Sequence, residues 1–237
     1  HCCADIAVNG EGELFVVSSA HSGMYLTRST DKGTTWSSRV KISNGGFIEP
    51  SLAIDSEDNI NLLLNSSPHN LYFTRSTDAG DTWSERISIR EYGDDNDIYN
   101  ANLAAGKPGN LIAAWTRCAS GSDDPQHCYI SRSSDYGTTW KMTREFPDDE
   151  DINICSDIEG NFNAAWMNSD SGMVDFIRST DNGKSWTNRQ SITSGHYPDI
   201  LSDSSGNIDV LAGGGSLSFV RSTDKGKNWT DTVTVPC

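Results

Sequence analysis

One nine-residue pattern occurs five times in this chain: RSTDKGTTW at 28–36, RSTDAGDTW at 75–83, RSSDYGTTW at 132–140, RSTDNGKSW at 178–186 and RSTDKGKNW at 221–229. The serines, Ser29, Ser76, Ser133, Ser179 and Ser222, are spaced by 47, 57, 46 and 43 residues. A period of this length marks a repeat architecture in which each unit buries its faces against its neighbours. The long interval takes in the polar stretch CASGSDDPQHC at 118–128.

Each unit reads alike. In residues 50–90, PSLAID alternates, SEDN turns, INLLLNS is apolar, SPHN turns, LYFTRS alternates, TDAGDT turns and WSERISI alternates again. Short alternating runs between turn residues are strands joined by hairpins. Four strands per unit, called A to D from the inside outwards, make the blade of a β-propeller. The expected fold is all-β: a five-bladed propeller with four antiparallel strands per blade, at roughly 4–43, 50–90, 100–146, 152–193 and 197–236. The alternative is an incomplete six-bladed ring. Closure then depends on blade 1 meeting blade 5, where Cys237 and the Cys2–Cys3 pair suggest a staple between the termini.

The residue types of the box explain its recurrence. Asp31, Asp78, Asp135, Asp181 and Asp224 can accept N–H groups of their own turns. Gly33 and its equivalents can adopt the positive φ that such a turn needs, and the tryptophan starts strand D with a ring to bury. A group present in every blade is expected to be structural, whereas a ligand site uses the blades unequally.

The box resembles the Asp-box, or bacterial neuraminidase repeat, S-x-D-x-G-x-[ST]-W. All five copies keep Ser, Asp, Gly and Trp, and only Asn228 departs from the Ser/Thr position. The resemblance covers nearly the whole chain and implies a sialidase-like propeller. Because the same box occurs in glycosidases, sorting receptors, assembly factors and lectin-like proteins, it speaks to fold more than to activity. The resemblance further implies that an active sialidase carries an Arg-Ile-Pro segment, three arginines that clamp the substrate carboxylate, a Tyr–Glu pair and an Asp acid/base. No Arg-Ile-Pro is present and no arginine precedes Arg28; outside the boxes and the position three residues after their Trp, where Arg39, Arg86 and Arg189 recur, only Arg90, Arg117 and Arg144 remain. Sialidase activity is therefore not expected.

Strand order puts the A–B turns and the boxes at one end of the ring. The B–C loops, the D–A connections and the starts of strand A lie at the other, where non-repeating residues become candidates for function. In strand A, Asp5, Ser51, Asn102, Asn153 and Asp199 fall in register and are expected to form a polar ring near the channel. The connections before it contribute Glu49, Arg90, Tyr99, Asp151 and Tyr197. Trp115 and Trp166 end strand B in two blades only and are candidate sugar-stacking platforms, with Arg117 as a contact for an anionic ligand. No cofactor is required on this reading. The carboxylates Asp94, Asp95, Asp97, Asp148, Asp149, Glu150 and Asp151 offer the oxygen ligands that Ca²⁺ prefers. All five histidines, His1, His21, His69, His127 and His196, map to the same end.

A net charge of −15 argues against nucleic acid or an anionic membrane as partner, and no apolar run is long enough to span a bilayer. Six cysteines suggest an oxidising setting, secreted or periplasmic, with Cys118 and Cys128 closing the loop between them. The expected function is that of a secreted, non-catalytic, monomeric propeller that binds a glycan or other small polar ligand. The alternatives are a glycoside hydrolase acting through a carboxylate pair and a protein-interaction scaffold.

Overall fold

A computed structural model describes residues 3–20, 22–45, 47–66, 70–91, 96–119, 126–147 and 149–236. They form five sheets, each of four antiparallel strands taken in chain order. Blade 1 holds β1 (Ala4–Val8), β2 (Leu14–Ala20), β3 (Gly23–Ser29) and β4 (Val40–Ser43). Blade 2 holds β5 (Phe47–Ile54), β6 (Ile60–Ser66), β7 (Asn70–Ser76) and β8 (Ile87–Glu91). In blade 3 they are β9 (Asn96–Ala105), β10 (Leu111–Ala119), β11 (His127–Ser133) and β12 (Lys141–Pro147). Blade 4 comprises β13 (Asp149–Ser156), β14 (Phe162–Asn168), β15 (Met173–Ser179) and β16 (Gln190–Ser194). Blade 5 comprises β17 (His196–Ser202), β18 (Ile208–Gly213), β19 (Leu217–Ser222) and β20 (Val233–Val235). The fold is a five-bladed β-propeller. No helix among the described residues is long and apolar enough to cross a membrane.

The box is a closed hydrogen-bonded unit. In blade 1, Ser29 Oγ donates to Asp31 Oδ1 at 2.8 Å and accepts the Gly33 N–H at 2.8 Å. Asp31 then accepts the Thr35 N–H at 2.8 Å and the Thr35 hydroxyl at 2.6 Å. Asn228 keeps this bond in blade 5 although it breaks the sequence pattern, since its carboxamide donates to Asp224 Oδ2 at 2.7 Å. The Thr35 and Thr82 hydroxyls, followed by their backbone N–H groups, hold Asp31 and Asp78 down at about 2. Arginines before the box fold back onto the same blade: Arg75 reaches Asp55 at 2.9 Å, and Arg178 bonds Asp157.

Between blades the cores are aliphatic and aromatic. One buried cluster joins blades 1 and 2 around Val17, Leu26, Leu62 and Leu64, and a second joins blades 2 and 3 around Phe73, Leu103 and Trp115. A third joins blades 3 and 4 around Ile130, Phe162 and Trp166, and a fourth joins blades 4 and 5 around Phe176, Ile208 and Val210. The box tryptophans of blades 2 to 5, Trp83, Trp140, Trp186 and Trp229, pack into these interfaces.

None of the four clusters joins blade 5 to blade 1. Ile6 and Val8 on β1 are 57% and 56% exposed, Leu201 on β17 is 51% exposed, and Trp36 of the first box is 44% exposed. Their counterparts between other blades are covered. The seam between the first and last blades is therefore open among the described residues. Of the cysteines expected to staple the termini, Cys2 and Cys237 lie outside them and Cys3 is a free thiol.

Cys118 and Cys128 are not joined to one another, which corrects the expected loop closure. Cys128 stands opposite Thr116 and Arg117 opposite His127, so Cys118 is displaced two residues along the ladder from Cys128. Diagonal neighbours of this kind lie roughly 7–8 Å apart, beyond disulfide reach. Cys128 instead is buried, donates its S–H to the Asp149 carbonyl at 3.2 Å, and has its thiol pushed up to about 12 by burial. Among the described residues there is no disulfide.

Candidate functional site

Strand A of blades 2 to 5 starts earlier than the sequence places it, because each of these strands carries a β-bulge near its beginning. The register slips between Phe47 and Pro50 in blade 2, and between Glu150 and Asn153 in blade 4. In blade 5 it slips between His196 and Asp199, and in blade 3 opposite Ala114–Thr116. At these bulges Asn100, Asp151 and Tyr197 are left-handed, with φ of 49°, 56° and 50°. Among the described residues, five of the other six non-glycine residues with positive φ sit in the boxes, where a glycine follows each. Bulges and left-handed residues re-aim side chains, and they concentrate at functional sites.

The result is two tiers of inward-facing groups. The lower tier is the expected polar ring, and its first four members each reach the next blade. Asp5 Oδ2 accepts the Leu52 N–H at 2.7 Å, and Ser51 Oγ accepts the Leu103 N–H at 3.0 Å. Asn102 Nδ2 donates to the Ile152 carbonyl at 3.2 Å, and Asn153 Nδ2 donates to Asp199 Oδ1 at 3.1 Å. Two residues earlier on each strand stand Cys3, Glu49, Asn100, Asp151 and Tyr197. Asn100 Nδ2 donates to Asp151 Oδ1 at 2.6 Å. Both tiers line one cavity of about 380 Å³ at the end of the channel away from the boxes.

Burial, opposed by the Leu52 and Ile6 N–H groups and reinforced by the charge of Asp199, raises the Asp5 carboxyl above its usual range. Asp151 is raised by burial and by the neighbouring Glu150, against the Tyr197 N–H and Asn100. Tyr197 has its ring 74% exposed at the rim.

Of the residues singled out from sequence, Asp5, Glu49, Asn102, Asp151, Asn153, Tyr197 and Asp199 line this cavity. The others lie elsewhere. Tyr99 is exposed and donates its hydroxyl to Asp97 at 3.2 Å, outside the lining. Arg90 stands opposite Leu71 on the outer strand of blade 2, and Arg117 stands between Ile98 and His127 on β10. Trp115 and Trp166 are fully buried, which removes them as stacking platforms. Trp115 stacks on Tyr129 at 5.5 Å, and Trp166 packs on Phe146 at 4.4 Å. The alanine pairs before them, Ala113–Ala114 and Ala164–Ala165, leave room for an indole between blades.

Asn100 escapes the sequence reading, although it sits two residues before the ring, as Asp151 and Tyr197 do. Asp94, Asp95 and Asp148, together with His1, His21 and His69, fall outside the described residues. Of the remaining acidic-loop residues, Asp149 is buried and ion-paired with Arg189, Asp97 accepts from Tyr99, and Glu150 accepts from Ser169 at 3.1 Å. Among the described residues, no group of three or more His, Cys, Asp or Glu could hold a metal ion.

No family model matches the sequence, and no curated protein matches it. Solved structures do. A protein of unknown function from Dyadobacter fermentans superposes with a TM-score of 0.71 at 16% identity, over 99% of this chain and 82% of its own. The Penicillium chrysogenum α-L-arabinanase complexed with arabinobiose gives 0.67 at 15% identity, over 99% and 80%. The Aleuria aurantia lectin in complex with Fucα1-6GlcNAc gives 0.65 at 11% identity, over 100% and 79%. With five sheets of four antiparallel strands, the chain has the fold of the sialidase-like, arabinanase and lectin β-propellers.

Proposed function

We propose that the protein binds a saccharide in the cavity at the channel mouth, without acting on it, and that it does so in an extracellular or periplasmic setting. The observation that carries this reading is the two-tiered lining. Five blades bring carboxylates, carboxamides and a hydroxyl around a space of about 380 Å³, with one exposed tyrosine at its edge. Convergent polar groups can satisfy a ring of sugar hydroxyls, and an aromatic face can cover an apolar sugar face. The arabinanase and the lectin, complexed with saccharides, make such a ligand a reasonable first choice for a fold of this kind.

A second reading is favoured by the raised carboxyls. Asp5 and Asp151 are both held above their usual range beside other carboxylates in the same cavity. Carboxyl groups in unlike environments are what glycoside hydrolysis requires of its acid and its base or nucleophile.

A glycan array run beside a panel of fluorogenic glycosides separates the two. The binding reading expects retention of a defined set of glycans and no turnover. Turnover that Asp5→Asn or Asp151→Asn abolishes while the melting temperature holds would replace it with the hydrolase. Retention of no glycan and cleavage of no glycoside would remove both.

A further inference from the structure

We infer that the cavity selects a saccharide carrying a protonated amine over its neutral or acidic counterparts. The inference rests on the saccharide-binding reading above and adds the charge class of the ligand.

Four carboxylates, Asp5, Glu49, Asp151 and Asp199, line the cavity, and no lysine, arginine or histidine is among its described lining residues. Each carboxamide in the lining already donates within it. The carboxamide nitrogens of Asn100, Asn102 and Asn153 donate to Asp151, to the Asn100 and Ile152 carbonyls, and to Asp199. What the cavity offers a ligand is thus dominated by acceptors and negative charge.

A ligand that fits must bring donors. An ammonium group brings three and no acceptor, together with the opposite charge, and charge-assisted bonds to carboxylates are the stronger kind. An acetamido carbonyl would bring one more acceptor into a space already dominated by acceptors. A sugar carboxylate would add like charge to a space where burial, together with Asp199 beside Asp5 and Glu150 beside Asp151, already raises both carboxyls. The exposed ring of Tyr197 accommodates the same ligand, because an aromatic face attracts both the apolar side of a pyranose and a nearby cation.

The test is isothermal titration with a glucosamine oligomer, the N-acetylated oligomer of the same length and an oligogalacturonate. It is run at a pH where the amine is protonated and at about 0.15 M salt, which screens the surface charge. The glucosamine oligomer is expected to bind at least about tenfold tighter than the N-acetylated one, as one new charge-assisted bond allows. Asp199→Asn and Glu49→Gln should each shrink that preference, and Asp170→Asn, an exposed residue outside the cavity, should leave it intact. Two cavity variants keep the test alive if one of them misfolds. Equal or tighter binding of the N-acetylated oligomer or the galacturonate overturns the amine preference and leaves the saccharide site standing. A preference unchanged in both cavity variants, or lost in Asp170→Asn, assigns it to general surface charge and also overturns the inference. No binding of any of the three overturns the saccharide reading with it.

Discussion

Gly137→Ala is expected to destabilise the protein by at least about 3 kcal/mol, roughly 6–12 °C in melting temperature for a chain of this size. The box glycine has a φ of 83°, which an L side chain adopts at a cost. A Cβ there would fall inside the ring of Phe73, which belongs to the preceding blade and stacks edge-on against Trp140 at 5.3 Å. The ring is 1% exposed and packed in the core between blades 2 and 3. Gly33→Ala is the control within the same chain. Its φ is 87°, yet a Cβ would meet Leu14 Cδ1 at 3.4 Å and Trp36 Cζ2 at 4.0 Å, ordinary contacts within its own blade. The backbone cost alone, about 1 kcal/mol, is expected. Calorimetry of the two variants measures the difference between a box glycine wedged against a neighbouring blade and one that meets only its own blade. Equal losses would mean that the first box is packed like the third.

The second large effect concerns the open seam. Asp5 and Ser51 occupy the same ring position, so Ile6 and Leu52 are equivalent residues. Leu52 is 6% exposed in the core between blades 1 and 2, whereas Ile6 is 57% exposed. Leu52→Ala should cost about 2–5 kcal/mol, through lost transfer energy and the cavity left behind. Ile6→Ala should stay within about 0.5 kcal/mol, as exposed substitutions do. Chemical denaturation reads both. A loss at Ile6 matching that at Leu52 would show that something covers the outer face of blade 1.

Much of the ring is legible in the sequence because its parts repeat. Five boxes fix five hairpins of the same build, and counting from the following turn puts Asp5, Ser51, Asn102, Asn153 and Asp199 in register. What does not repeat is harder to read. Period-2 alternation assigns Trp115 and Trp166 to a face, but both faces of a blade lie between neighbours, so alternation cannot tell core from channel. The bulges are equally silent: Asn and Asp tolerate the left-handed region and Asn100 and Asp151 use it, but nothing marks Tyr197 for the same conformation. Their effect is to lift a second tier of side chains above the ring. Cys118 and Cys128 miss each other by two residues of register, which loop spacing does not reveal.

The central claim is a division of labour: the repeated boxes hold the blades, and the non-repeating inner tier holds the ligand. It is tested most directly by pairing Tyr197→Ala with Asp78→Asn and measuring saccharide affinity and melting temperature for both, using a glycan retained by the wild-type protein. Tyr197 is exposed on the cavity rim, and Asp78 accepts the Thr82 N–H at 2.8 Å and the Ser76 hydroxyl at 2.7 Å inside its box. The account predicts that Tyr197→Ala weakens binding by at least about tenfold, the worth of a stacking ring, with the melting temperature unchanged. It predicts that Asp78→Asn lowers the melting temperature and leaves the affinity of the folded protein as it was. Full affinity in Tyr197→Ala, together with lost affinity in a folded Asp78→Asn, would contradict it.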